Sequence, residues 1–291
     1  MTIRVFPPPI LSELSKHGAQ NFLSLVCSIQ ESNLTVALGS GASASVGLPI
    51  WIELLKRLSL TFFRHWEMQS RSHSATYDRP PTNLSIAFVE DENSELQSFP
   101  NELLSLDPEI VSLSRDFSVG DPLIIAQQIK NCIREKDWRY LLYHALYLNH
   151  KHLTVDDIKS SLLESLVRLY TKTKRITSIL NYNYDNAFEI HLRRHGVSCR
   201  AFWDPSFPEK QLKLPIYHPH GYLPFPGGPI ARTIISESDY HDEYSQPHNW
   251  ANLAQIREFT SSACLFIGAS MADPNLRKLL RSSQLIARRW H

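Results

Sequence analysis

The stretch Thr35-Val-Ala-Leu-Gly-Ser-Gly-Ala-Ser-Ala-Ser-Val-Gly-Leu-Pro-Ile-Trp51 decides the fold of this chain. It runs from a short apolar strand, Leu34 to Leu38, through a turn of glycine and serine into an amphipathic helix expected from about Pro49 to Trp66. Gly39, Gly41 and Gly47, three of only ten glycines, fall within nine residues. A strand that opens through such a turn into a helix lets backbone N–H groups approach a pyrophosphate. Glycine supplies positive φ values there, and the absent Cβ atoms leave room for the ligand. The spacing is not G-x-G-x-x-G, so a plain structural loop fits it equally well at this point. Pro49 suits the first turn of the helix, where a missing N–H costs nothing.

Working outward, further short apolar stretches read as strands: Ile176 to Leu180, Val197 to Phe202, Leu214 to His218, Ala231 to Ser236 and Cys264 to Gly268. Helices are expected around Asn186 to Arg194, Ser238 to Glu243, Trp250 to Phe259 and Pro274 to Arg288. Strands that alternate with helices, and are apolar throughout, argue for a parallel sheet covered on both faces. Ligands of such sheets bind outside the carboxyl ends of the strands. A leading amphipathic helix is expected over Ile10 to Ser32. From Glu67 to about Gly120 the pattern dissolves, with a polar loop at Ser70 to Asn83 and short helical pieces after it. Helical character returns at Asp121 to Leu148 and Val155 to Tyr170. The expectation is one α/β domain with a Rossmann-like, doubly wound parallel sheet. Its core takes residues 10–66 and 173–291, and a mainly helical insertion takes about 67–172.

At 291 residues with a formal net charge of +1, the chain carries no global field that points to nucleic acid or an anionic membrane. The basic residues Arg277, Lys278, Arg281, Arg288 and Arg289 read as a solvated helix face near its C-terminus, where cations favour the helix dipole. Cys27, Cys132, Cys199 and Cys264 form no C-x-x-C pair, which leaves neither a local zinc ribbon nor a disulfide framework. Pro7-Pro8-Pro9 breaks any signal-peptide core, and no run approaches 18 apolar residues. These features set the expectation of a soluble, cytoplasmic protein without membrane contact.

Four polar clusters fall at strand ends: Gly39-Ser-Gly-Ala-Ser43, Asn181-Tyr-Asn-Tyr-Asp185, His218-Pro-His-Gly221 and Gly268-Ala-Ser-Met-Ala-Asp273. Their order resembles the sirtuin-like NAD-binding domain, and is closest to its bacterial defence branch, the NAD-hydrolysing effectors of antiphage systems such as Thoeris and the defence-associated sirtuins. The resemblance spans about residues 34–280. It implies an NAD glycohydrolase that releases nicotinamide and ADP-ribose, with NAD as substrate. It also implies a homo-oligomeric effector of abortive infection, with a defence-system partner protein or a further C-terminal domain. The family fold often continues beyond the helix after the Gly268 strand, so the chain reads as one domain of a larger assembly.

Three departures bear on that resemblance. Ser40 stands between Gly39 and Gly41 where the family has alanine. Asn181 and Tyr182 replace threonines. The zinc-binding cysteines of the deacetylase sirtuins are missing, which argues against protein deacylation and leaves water as the natural acceptor.

Asn183 and His220 are the expected catalytic residues. An amide can donate and accept at once, which suits ribose hydroxyls or an attacking water, and the resemblance gives Asn183 that role. An imidazole titrates near neutral pH and suits a general base, with Gly221 letting the backbone turn and expose the ring. The resemblance implies that Gly39, Ser40, Gly41, Ala42 and Ser43 hold phosphate. It implies that Gly268 and Ser270 approach the adenine ribose or phosphate, and that Asp185 meets the nicotinamide carboxamide. Asp185 also suits a helix cap, and Asp273 reads first as the N-cap of the Pro274 helix. His218 and His220 form an H-x-H pair without a third ligand in view, so no metal is expected and His218 reads as a packing residue. The reading from another class is a catalytically silent NAD or ADP-ribose binding module that acts as a sensor or assembly scaffold.

Overall fold

The computed structural model describes residues 27, 33–72, 122–133, 135–147, 155–205, 213–227, 231–271 and 273–290. The expected leading helix, apart from Cys27, and the pieces between 73 and 121 lie outside these residues. In chain order the elements are β1 (Leu34–Leu38), α1 (Ser40–Ala44), α2 (Trp51–Ser72), α3 (Pro122–Asn131), α4 (Glu135–Tyr147) and α5 (Ser161–Thr173). There follow β2 (Ile176–Asn181), α6 (Ala187–Arg194), β3 (Cys199–Phe202), β4 (Leu214–Tyr217), α7 (Glu237–Ser245), α8 (Trp250–Ser261), β5 (Ala263–Ile267) and α9 (Pro274–Trp290).

The five strands form one sheet in the order β3-β4-β2-β1-β5, and every pairing is parallel. Strand residues alternate between faces, and each face has its own helical cover. Leu34, Val36 and Leu38 of β1 join Ile179 and Ile216 in a core closed by Leu163, Leu166 and Val167 of α5 and by Phe188, Ile190 and Leu192 of α6. Ala37, Leu180 and Tyr217 point the other way, onto Ala254, Trp250 and Phe259 of α8. The sheet is therefore α/β and doubly wound, as expected. Buried polar groups tie α8 to the strands: Ser178 Oγ and Thr35 Oγ1 donate to Glu258 Oε2 at 2.5 and 3.1 Å.

The described stretches between β1 and β2 are helices and their connections. Helices α2, α3 and α4 share a second core, centred on Leu58, Phe62, Ile129, Trp138, Leu141 and Leu142. Tyr184, Leu223 and Ile235 join that core, which brings it against the loops at the carboxyl end of the sheet. Among the described residues no helix is long and apolar enough to cross a membrane.

Three expectations differ from the structure. The helix expected from Val155 begins only at Ser161, capped by Ser160, and Val155–Asp157 form a separate 3-10 turn. Helix α2 continues past Trp66 to Ser72. The apolar periodicity fades there, but Glu67, Met68 and Gln69 are good helix formers and sustain the backbone pattern without it. Ala231 to Ser236 is not a strand of the sheet. Ala231 and Ile234 donate instead to the carbonyls of Tyr222 and His220, at 3.0 and 2.8 Å. The Ile235 and Ser236 amides are taken by Asp239 Oδ2 in the capping box of α7. An apolar stretch whose donors are claimed by a helix cap has too few left for a ladder.

His191, buried on α6, carries a pH-dependent part of this fold. Its Nδ1 donates to Ala187 O at 2.8 Å, and its Nε2 accepts from the Ser160 amide at 3.2 Å. Burial pushes the imidazole below its ordinary value. The unfolded chain therefore binds more protons than the folded one as pH falls through about 6.5, and stability falls with it. The contribution is fully present above that value. Melting curves from about pH 7 to pH 5 should fall more steeply for the natural chain than for His191→Gln, and parallel curves would contradict this.

Candidate active site at the carboxyl edge of the sheet

The strand order reverses at β1, whose neighbours β2 and β5 connect in opposite directions, so the loops after β1 and β5 flank the switch point of the sheet. Those two loops touch through backbone. Gly39 N donates to Ile267 O and Gly41 N to Gly268 O, both at 2.9 Å. A Cβ on Gly268 would stand 2.4 Å from Ala42 N, and one on Gly39 would stand 2.6 Å from Ala269 Cα. The glycines thus serve loop–loop packing first. Gly41 and Gly268 remain exposed, Ser40 is half-buried, and Ala42 and Ser43 are buried. Ser270 lies exposed on the loop between β5 and α9.

The loop after β2 is folded by its own asparagines. Asn181 Oδ1 accepts from Asn183 N at 3.1 Å, and Tyr182 N donates to Leu38 O at 2.9 Å. Asn181, one of the departures from the family pattern, therefore shapes the turn that presents Asn183. Tyr182, the other, donates through its hydroxyl to Gln255 Oε1 at 2.7 Å and sets its ring edge-on to His220, with centroids 5.2 Å apart. Asn183 Nδ2 donates to Gly39 O at 2.9 Å, which fastens this loop to the one after β1.

Asp185 lies buried behind that turn. Its carboxylate accepts from Ser43 Oγ at 2.6 Å and from Ala187 N at 3.0 Å. Burial pushes the carboxyl up, and the Ser43 and Ala187 hydrogen bonds oppose part of the rise. With Val46, Leu48, Tyr147, Ile158, Asn186 and Ala187 it lines a small, largely apolar pocket. Asp185 and Ser43, expected to meet different ends of a ligand, are thus bonded to each other.

His218 is fully buried between Asn183 O, 3.0 Å from its Nδ1, and Glu189 Oε1, 2.8 Å from its Nε2. A carbonyl only accepts, so Nδ1 carries a proton. The contact with Glu189 then requires a further proton on either the imidazole or the carboxyl. His218 thus ties the carbonyl of Asn183 to Glu189 of α6, wholly out of water. Among the described residues Glu189 Oε2 has no hydrogen-bond partner. Among the described residues no group of three or more His, Cys, Asp or Glu side chains could hold a metal ion.

His220 follows β4 and sits at the rim. Its side chain is 14% exposed and its Nε2 lies 3.1 Å from Asp273 Oδ2. Tyr182 and Tyr240 meet the ring edge-on from two sides. Gly221, with φ of +107°, turns the chain behind it, and a Cβ there would stand 2.2 Å from Arg232 O. Asp273 caps α9, accepting from Asn275 N and Leu276 N at 2.8 and 3.2 Å. Burial raises its carboxyl, but the His220 hydrogen bond and charge, with the helix amides, bring it below the ordinary carboxylate range. The cap was legible in the sequence. The pairing with His220 was not, because the two lie 53 residues apart on different loops.

Asn183 and His220 thus emerge from adjacent, paired strands, β2 and β4, at one edge of the sheet. Residues 177–289 match the family described as the SIR2-like domain. SIR2-like family members are NAD-dependent enzymes, and the match fits an NAD-related activity of this chain. The SIR2-like stretch covers less than half of the chain, yet it holds Asn183, Asp185, His220, Gly268 and Asp273. The Gly39 to Ser43 loop lies outside it and is tied to it by the Asn183–Gly39 and Ser43–Asp185 hydrogen bonds. A search of curated proteins finds no match to the chain.

Proposed function

We propose that this protein is an NAD glycohydrolase that cleaves the nicotinamide–ribose bond and passes the ribose to water. The observation that carries the reading is the joint placement of an anchored amide, Asn183, and a rim imidazole, His220, at the carboxyl ends of paired strands within the SIR2-like stretch. Breaking the bond sends its electron pair to nicotinamide, which leaves neutral, and develops positive charge on the ribose. Water then bonds to the anomeric carbon and gives up a proton. Asn183 holds a ribose hydroxyl or the attacking water. His220 takes the proton and later releases it to solvent. Gly39 to Ser43, Gly268 and Ser270 face the phosphates and the adenine ribose. On this reading Asp185 meets the nicotinamide carboxamide, as the resemblance implies. The resemblance drawn from the four clusters extends the proposal to a homo-oligomeric NAD-depleting effector of antiphage defence.

Product analysis with and without an acyl-lysine peptide tests the reaction class. Equal amounts of nicotinamide and ADP-ribose, unaffected by the peptide, are expected. Nicotinamide release that depends on the peptide would make the protein a deacylase. NAD bound but left intact would make it a silent sensor.

A further inference from the structure

Resting on the hydrolase reading, we infer that Asp273 is a positioning residue for the base: it holds His220 in the tautomer with the proton on Nε2, which leaves the lone pair of Nδ1 to receive the proton of the attacking water. Nε2 and Asp273 Oδ2 stand 3.1 Å apart as an ion pair, His220 helps hold the Asp273 carboxyl down, and a carboxylate oxygen can only accept. The proton in that contact therefore belongs to Nε2, and in a neutral imidazole the lone pair then resides on Nδ1.

Asp273 is itself held rigidly. Its second oxygen, Oδ1, accepts two amides from the first turn of α9, so the carboxylate cannot swing away without uncapping that helix. The positive end of the helix also favours its ionised form. The other titratable groups facing the ring are Tyr182, from the loop after β2, and Tyr240 and Glu243, from α7. Burial pushes both tyrosine hydroxyls up, so they remain neutral at working pH. Burial also raises the Glu243 carboxyl, against a hydrogen bond from Asn249. Asp273 is the carboxylate in hydrogen-bond contact with the ring.

The arrangement has a consequence for each proton. As water bonds to the anomeric carbon, its proton moves to Nδ1 and the ring becomes an imidazolium. The new charge develops against a carboxylate already in place, without reorganisation. The Nδ1 proton then passes to bulk water, and the Nε2 proton never leaves its contact with Asp273.

The test uses the full chain with two variants that both keep the helix cap, since serine and asparagine are good N-cap residues. Asp273→Ser is too short to reach His220. Asp273→Asn can still accept from Nε2 but carries no charge. The tautomer is read by nitrogen-15 NMR of histidine-labelled protein, and NAD cleavage is measured as a function of pH. In the natural chain neutral His220 should be protonated on Nε2, and in Asp273→Ser this preference should be lost. Asp273→Ser should lower kcat by about ten- to a hundredfold with KM changed less than about threefold and melting close to the natural chain. Asp273→Asn should keep more of kcat, because its amide oxygen can still accept from Nε2. A natural chain protonated on Nδ1, or an Asp273→Ser variant with unchanged tautomer and kcat, would overturn the inference and leave Asp273 a helix cap. The tautomer measurement judges Asp273 even if no NAD is cleaved, a result that would defeat the hydrolase reading by itself.

Discussion

His220→Ala is expected to lower NAD turnover by about 10²-fold or more, and Asn183→Ala by a similar factor. A base acting in the transition state supplies that order of rate, and alanine offers no group to replace it. KM should change less than kcat, because the proton transfer exists only as the bond to water forms. His220 stands at the rim, so its loss leaves the core packing intact. Asn183 is different, since its amide also bonds to Gly39 O. Losing that bond costs about 1 kcal/mol of stability, too little to unfold the domain. Steady-state kinetics with melting curves on the same preparations check both variants. Turnover near the natural rate in both would remove Asn183 and His220 from the chemistry.

Gly268→Ala should cost about 3 kcal/mol or more of folding stability and take the site with it. Gly268 has a φ of +66°, and a Cβ there would lie 2.4 Å from Ala42 N and 2.6 Å from Gly41 C. Both atoms are backbone at the start of α1, so no side chain can swing aside. Gly196 is the natural control. Its φ is +67° with nothing within 4 Å of the added Cβ, so Gly196→Ala carries only the left-handed penalty of about 1 kcal/mol. The difference between the two substitutions isolates the contact between the β1 and β5 loops. Urea unfolding of both variants measures it, and equal losses would mean that the loops can part without cost.

The sheet was legible because its strands are written in apolar residues bounded by polar ones. Leu34 to Leu38 falls where the pattern places it, and the strand expected over Ile176 to Leu180 runs one residue further, to Asn181. Ala231 to Ser236 has the same composition, yet a helix cap and a neighbouring loop claim its donors, and periodicity carries no information about that competition. The candidate site follows the same rule. Asn183 and His220 could be picked out as polar residues after strands. The partners that hold them could not, because Gly39 and Asp273 owe their contacts to the spatial order of the strands. Ser43 and Asp185, assigned to separate ends of a ligand by the resemblance, are hydrogen-bonded neighbours in space.

The measurement that tests the central claim most directly is a time course of the purified protein with NAD, with nicotinamide and ADP-ribose quantified by chromatography. The account predicts that the two products accumulate in equal amounts as NAD disappears. NAD that stays intact while calorimetry on the same sample shows it bound would contradict hydrolysis and leave a binding module in its place.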